Sequence, residues 1–132
     1  MHVETAPSRY SFLLLAKLFS WRLGALICEY VGEVVSWEVF RKRMEKEYNH
    51  NLHHYCLKLD SNKVIDAYSQ GGIGRFINHS CEPNSQTQKW VVQGQDRMAI
   101  FATEDIPAGE EITYDYKFES FDVQVNFTAF KI

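Results

Sequence analysis

The clearest period in the chain follows Ser36. Trp37, Phe40, Met44 and Tyr48 recur at three- and four-residue intervals, which puts them on one face of a helix. Arg41, Lys42, Arg43, Glu45, Lys46 and Glu47 fill the remaining faces, and Ser36 stands where an N-cap belongs. The spacing predicts a helix of about three turns. Upstream, residues 26–35 (LICEYVGEVV) are rich in β-branched and aromatic types and predict one or two short strands, with Gly32 as a bend or bulge. Downstream, 49–53 (NHNLH) forms a polar connection. Tyr55, Leu57 and Leu59 then alternate with Cys56, Lys58 and Asp60, which is strand periodicity. Residues 60–63 (DSNK) carry turn chemistry, and Val64 and Ile65 restart a strand.

The second half repeats the pattern with shorter signals. Residues 69–74 (SQGGIG) suggest a flexible glycine loop. A hairpin is predicted from 89–92 and 97–102 around Gln93, Gly94 and Gln95. Residues 106–109 (IPAG) form a turn and 111–116 (EITYDY) a short strand, whereas the apolar stretch from Phe118 onward has no clear pattern. Short strands with one or two short helices predict a mainly β fold of small sheets. No repeat or low-complexity tract interrupts it.

Length and composition narrow the class. The 132 residues suit one domain, and 45% hydrophobic with 23% charged residues is a globular composition. The formal charge of -3 argues against a nucleic-acid binder that lives on phosphate attraction, and no sequence-specific nucleic-acid binding is expected. A mildly acidic surface suits a basic partner. Cys28, Cys56 and Cys81 are widely spaced without a CxxC pair, which fits reduced thiols in an intracellular compartment. Residues 11–19 (SFLLLAKLF) imitate a signal-peptide apolar region, but Lys17 interrupts them and no clear small-residue cleavage site follows. The stretch is too short to span a bilayer, so a buried local segment is expected and no membrane partner.

One run resists a purely structural account. In 74–85 (GRFINHSCEPNS), Asn78, His79, Ser80, Cys81, Glu82 and Asn84 come directly after Phe76 and Ile77. A turn does not need an imidazole, a thiol and two carboxamides. His79 and Cys81 are two ligands where zinc needs four, and the other histidines show no partner spacing. A Cys–His nucleophile pair would more often come from distant segments. The glycines before it lack the lysine-serine ending of a phosphate loop. Asp115 between Tyr114 and Tyr116 offers a general base or, more simply, a structural acceptor. One of these tyrosines is expected in the core and the other on the surface. On residue chemistry alone this is a β-rich domain with a polar loop pocket.

Two segments together say more. Residues 75–84 (RFINHSCEPN), followed by 109–116 (GEEITYDY), closely resemble the signature pair of SET-domain protein lysine methyltransferases. The sequences TQKW (87–90) and CEYVGEVVS (28–36) are similar to the group that acts on lysine 36 of histone H3, in particular the branch named after absent, small or homeotic discs. The likeness runs over 24–121, with 1–23 an atypical N-terminal segment and 122–132 a C-terminal tail. It implies small curved sheets around a C-terminal pseudoknot, in which the last segment threads beneath the loop that holds NHSC. It also implies a nuclear, chromosome-associated chromatin regulator that transfers methyl groups from S-adenosyl-L-methionine to the histone H3 tail on nucleosomes.

The resemblance implies a role for each matching residue. Arg75, Phe76, Asn78 and His79 would line the cofactor pocket together with Tyr116, the catalytic tyrosine whose hydroxyl orients the amine. Tyr55 would form a wall of the lysine channel. Tyr114 stands where the family has Phe or Tyr, and its hydroxyl leaves less room for a third methyl group, which points to mono- and dimethylation. The peptide would add as a strand to a sheet edge near Glu110 and Glu119. Cys81 matches one ligand of a zinc ion whose other three ligands come from a post-SET tail. Here 122–132 (DVQVNFTAFKI) has no cysteine and 1–23 has no GxG strand, so the SET fold is expected to be incomplete at both ends, and Ser85 replaces a frequent Cys. YDYKF (114–118) also resembles the trithorax group, which acts on lysine 4. An inactive SET-like module that binds chromatin is the alternative from another class.

Overall fold

The computed structural model describes residues 9–48 and 55–116. The expected connection at 49–53, Glu119 and the tail 122–132 lie outside the described residues. The elements run α1 (Arg9–Leu18), β1 (Leu26–Glu29), β2 (Gly32–Ser36), α2 (Trp37–Lys46), β3 (Cys56–Lys58) and β4 (Lys63–Gly71). A 3-10 turn (Ile73–Phe76) comes next, then β5 (Asn78–His79), β6 (Ser85–Val92), β7 (Gln95–Ala102) and β8 (Thr113–Tyr114). Two three-stranded antiparallel sheets, in the orders β1-β7-β6 and β2-β4-β3, accompany the parallel pair β5-β8. Among the described residues this is a mainly β molecule of small sheets with two short helices, as the pattern predicts.

Helix α2 begins where the sequence places it. Ser36 accepts the Val39 N–H through Oγ at 3.1 Å, which satisfies one of the amides left open at a helix start. Phe40 and Met44 are buried and pack on Cys56 and Val64, forming a small core on one face of the β2-β4-β3 sheet. The other face joins the main core of Leu57, Ile65, Phe76, Ile77, Ile100, Ile106 and Ile112. This corrects one expectation. Cys56, on the polar side of the strand alternation, is only 5% exposed. A strand covered on both faces has no polar face to keep.

Glycines in this fold serve close packing more than flexibility. Residues 69–74, expected as a flexible loop, instead complete β4 and enter the 3-10 turn. A Cβ on Gly71 would come within 2.9 Å of the Ala67 carbonyl oxygen, so the backbone can fold over Ala67 only without a side chain. The strand register shifts between Gly32 and Glu33, at the bulge expected for Gly32. The predicted hairpin is present and longer than expected, with Ser85 to Val92 fully paired to β7. Its two-residue loop puts Gln93 at φ 52° and Gly94 at φ 79°, the left-handed pair that a tight hairpin favours.

The apolar stretch near the N-terminus is a helix buried along one side. Phe12 and Ala16 enter the core, while Leu13, Leu14 and Leu18 remain exposed. The expectation of a buried segment therefore holds for one face only. The Gly109 N–H donates to the Ala16 carbonyl at 3.0 Å and ties α1 to the turn before β8. No described helix is long and apolar enough to cross a membrane.

Candidate active site

The two signature segments are neighbours, although the residues that pair between them are 35 positions apart in the chain. In the β5-β8 pair, Asn78 lies opposite Thr113 and His79 opposite Tyr114. The Ser80 N–H donates to the Tyr114 carbonyl at 3.2 Å. The expected strand at 111–116 is shortened to two residues because a side chain takes over part of its pairing. Asn84 donates through Nδ2 to the Glu111 carbonyl at 2.8 Å and accepts the Thr113 N–H at 2.9 Å. A carboxamide that gives one bond and takes one acts as a surrogate strand partner. The Ser85 hydroxyl adds a bond to the Thr113 carbonyl at 2.6 Å. Asn84 and Ser85 are both buried, so their part of the polar run fastens the C-terminal segment in place.

His79 sets the position of Tyr116. Its Nδ1 accepts the backbone N–H of Tyr116 at 3.1 Å, and its Nε2 stands 3.5 Å from the Cys81 sulfur. In a neutral imidazole the accepting nitrogen carries no hydrogen, so the proton resides on Nε2. The Asp115 carboxylate, 3.7 Å from Nδ1 and half exposed, is beyond hydrogen-bond range, and the amide holds that nitrogen. The imidazole is therefore a positioning group for the Tyr116 backbone.

Residues two apart along an extended segment share a face, and here Tyr114 is buried and Tyr116 partly buried against the core while Asp115 is exposed, which corrects the expectation of one core and one surface tyrosine. The rings lie 4.9 Å apart, and the Tyr116 hydroxyl donates to the Ile77 carbonyl. A phenol whose proton is engaged in this way presents oxygen lone pairs to anything else that approaches. Burial, then the neighbouring Tyr116, holds the Tyr114 hydroxyl well above its ordinary pKa, so it stays protonated.

Tyr55 belongs to an aromatic wall. It meets Tyr68 edge-on at 5.4 Å and Phe76 at 5.9 Å, and the Arg75 guanidinium lies over its ring at 5.3 Å. Arg75 also donates through Nη1 to the Ala67 carbonyl at 2.8 Å. Arg75 and Phe76 thus hold the wall from behind. Tyr48 stacks on Tyr68 at 4.0 Å, and its hydroxyl donates to buried Asp66 at 2.9 Å. Asp66 further accepts from Arg43 at 2.8 Å and from the Tyr68 N–H at 3.0 Å.

Sequence reasoning missed Tyr30 and Asp66. Tyr30 is 2% exposed, and its buried hydroxyl has no hydrogen-bond partner among the described residues. Burial, and then Tyr114, Cys56, Tyr116 and Tyr68, raise its pKa well above the ordinary value, so its hydroxyl belongs to the same tyrosine cluster. A tyrosine within an apolar strand and one acid in VIDAY look like ordinary strand residues until the fold gathers them.

Asn78 faces a different space. Its Nδ2 donates to the Glu111 carboxylate at 2.7 Å, and with α1 it lines a cleft of about 410 Å³. Its lining combines apolar side chains (Phe12, Leu13, Ala16) with charged ones (Lys17, Glu110, Glu111). That combination fits an amphipathic ligand such as S-adenosylmethionine. Zinc fits less well. Cys81 has His79 beside it, and no group of three metal-ligating side chains exists among the described residues.

The SET-domain family model matches residues 19–117. The chain belongs to the SET-domain family. This SET domain is 52% identical over 99 residues to the histone-lysine N-methyltransferase ash1 of Drosophila melanogaster, covering 75% of the chain and 4% of that protein. It is 46% identical over 100 residues to human histone-lysine N-methyltransferase SETD2, covering 74% and 4%. A third relative, the H3 lysine-36 specific histone-lysine N-methyltransferase of Cryptococcus neoformans, is 48% identical, with 74% and 12% covered. The SET domain thus spans only a small part of the length of these relatives.

Proposed function

We propose that this SET domain is a histone-lysine N-methyltransferase acting on the histone H3 tail of nucleosomes in chromatin, at lysine 36, with one or two methyl groups added. The supporting observation is the β5-β8 register, which seats His79 beside Tyr114 and bonds it to the Tyr116 amide. The names of the relatives supply the choice of lysine 36 over lysine 4. The working unit is assigned to 24–121, with 1–23 and 122–132 as appended segments.

S-adenosylmethionine supplies an electrophilic methyl group on a sulfonium, and the protein has to align an amine with it. A free lysine amine has a pKa of about 10.4, so its neutral form costs about 4 to 5 kcal/mol at neutral pH. An aromatic channel lowers that cost by disfavouring the ammonium. Tyr55 forms the channel wall, braced by Arg75 and Phe76. The Tyr116 oxygen, its proton held by Ile77, accepts an amine N–H and so directs the nitrogen lone pair forward. The Tyr114 hydroxyl occupies space beside it, which limits further methylation. Asn78 and His79 form the donor side of the pocket, and Asn78 reaches it through its carboxamide. Cys81 is assigned as a zinc ligand only where further thiolates reach it, and no step of the transfer depends on it.

Methyl transfer to nucleosomes, compared between this chain and Tyr116→Phe, tests the reading. A loss of about a hundredfold or more is expected. Equal signal from both would reject the assignment of Tyr116. Peptides carrying lysine 36 or lysine 4 alone separate the two substrates, and trimethylated peptide as the main product would reject the role of Tyr114.

A further inference from the structure

Strand β6 leaves one edge open. Its sheet runs β1-β7-β6, and no other described strand pairs with the far side of β6. The start of that edge is taken: the Ser85 hydroxyl bonds the Thr113 carbonyl, and Gln86 and Thr87 share a small pocket with Asp115. From Gln88 to Val92 every residue is exposed, so both faces of the strand meet solvent there. Three of the five in succession are large and apolar, with Trp90 at 50%, Val91 at 69% and Val92 at 36% exposure. Such a run on an open edge is a template for another strand. Charge narrows the choice of strand. Lys89 is the only charged residue in 85–94 (SQTQKWVVQG). On its face of the sheet, Asp96 of β7 sits opposite Val91. Neither Lys89 nor Asp96 forms an ion pair among the described residues.

We infer that β6 pairs with β6 of a second copy of this chain, antiparallel about a twofold axis at Trp90. This centre uses the whole open stretch: Gln88 lies opposite the partner's Val92, Lys89 opposite the partner's Val91, and the two Trp90 side chains face each other. A centre at Lys89 would set two like charges directly opposite, which is destabilising. A centre at Val91 would leave only three residues of β6 paired. On the outer face, each Trp90 already stacks on its own Phe101 at 5.3 Å, and the axis joins the two stacks into one apolar stripe. On the other face, the Lys89 stem covers the partner's Val91 and carries its ammonium toward the partner's Asp96. A second copy therefore satisfies both the apolar run and the unpaired charges, and each contact occurs twice. The contact is smaller than a standard interface, so the dimer is weak and concentration-dependent.

Sedimentation equilibrium of the full chain over a range of concentrations measures the pairing, and it is independent of methyl transfer. A monomer–dimer equilibrium is expected. Val91→Glu puts a carboxylate opposite each partner lysine and should tighten the dimer by about two- to thirtyfold, from two symmetric cross-strand pairs. Val91→Lys puts like charges opposite each other and should weaken it by a similar factor. Lys89→Glu combined with Val91→Lys exchanges the two signs and should recover the dimer. Both positions are exposed, so the fold tolerates these changes, and circular dichroism of each variant checks that it does. A chain that stays monomeric at every concentration would overturn the inference. So would a dimer that Val91→Glu and Val91→Lys shift in the same direction, or that neither moves.

Discussion

The backbone amide of Tyr116 donates to His79 Nδ1 at 3.1 Å, joining residues 37 positions apart in sequence. His79→Ala removes the acceptor and leaves that amide without it. The expected stability loss is about 1 to 3 kcal/mol. Methyl transfer should fall further than stability does, because the Tyr116 hydroxyl shifts with its backbone and small misplacements at a reacting centre cost up to about a hundredfold. Denaturant midpoints measured beside kcat check this. A variant that loses stability but keeps full kcat would remove His79 from the positioning of Tyr116.

Asn84 holds the same segment from the other side. Asn84→Ala takes the carboxamide away from the Thr113 N–H and the Glu111 carbonyl, for about 2 to 4 kcal/mol from two lost bonds in a buried setting. Asn84→Asp keeps the acceptor but sets a buried carboxylate against the Glu111 carbonyl, so at neutral pH it should cost at least as much. Hydrogen exchange at the Thr113 amide reads the effect directly. Unchanged protection in Asn84→Ala would show that β5 alone holds the strand.

Asp66 is 1% exposed and bonded to Arg43, Tyr48 and the Tyr68 amide. Asp66→Ala leaves Arg43 paired with Glu33 but takes the acceptor from the Tyr48 hydroxyl and the Tyr68 amide, and the expected cost is about 1 to 3 kcal/mol. Tyr48→Phe removes one hydroxyl and keeps the stack on Tyr68, so about 1 kcal/mol is expected. If Tyr48 sets the angle of Tyr68 and hence of Tyr55, Tyr48→Phe should raise KM for the peptide more than it lowers kcat. The reverse split would confine Tyr48 to stability.

The buried thiols and phenols make the fold sensitive to alkali. Burial, then Glu29, pushes Cys28 up to about 12, and burial, then the Asp66 hydrogen bond, pushes Tyr48 to about 12. Burial is also the first cause for Cys56, Tyr30 and Tyr114, all well above their ordinary values. Unfolded thiols titrate at about 8.5 and phenols at about 10. The folded chain therefore binds these protons more tightly, and its stability falls as pH rises. The urea midpoint should be flat with respect to these groups below about pH 8, decline from about pH 8.5 and drop more steeply above about pH 10. Cys28→Ser with Cys56→Ala should flatten the first decline. A midpoint that climbs between about pH 9 and 11 would contradict these shifts.

The sequence by itself determined the short-range features, because each depends on neighbours in the chain. Ser36 caps α2, Asp60 turns the chain through its bonds to the Asn62 and Lys63 amides, and Gly94 closes the hairpin. The signature residues were also legible, as a resemblance carried by NHSC and EITYDY. Tertiary structure decided whatever depends on what covers a strand or crosses from one segment to another. Alternation placed Cys56 outside until α2 covered that face, and glycines that looked flexible proved to be points of close approach. Tyr30 and Asp66 acquired roles only when distant segments brought a tyrosine cluster and a guanidinium to them. Burial and electrostatic pairing are properties of three-dimensional neighbours, and a linear pattern records only one side of each pair.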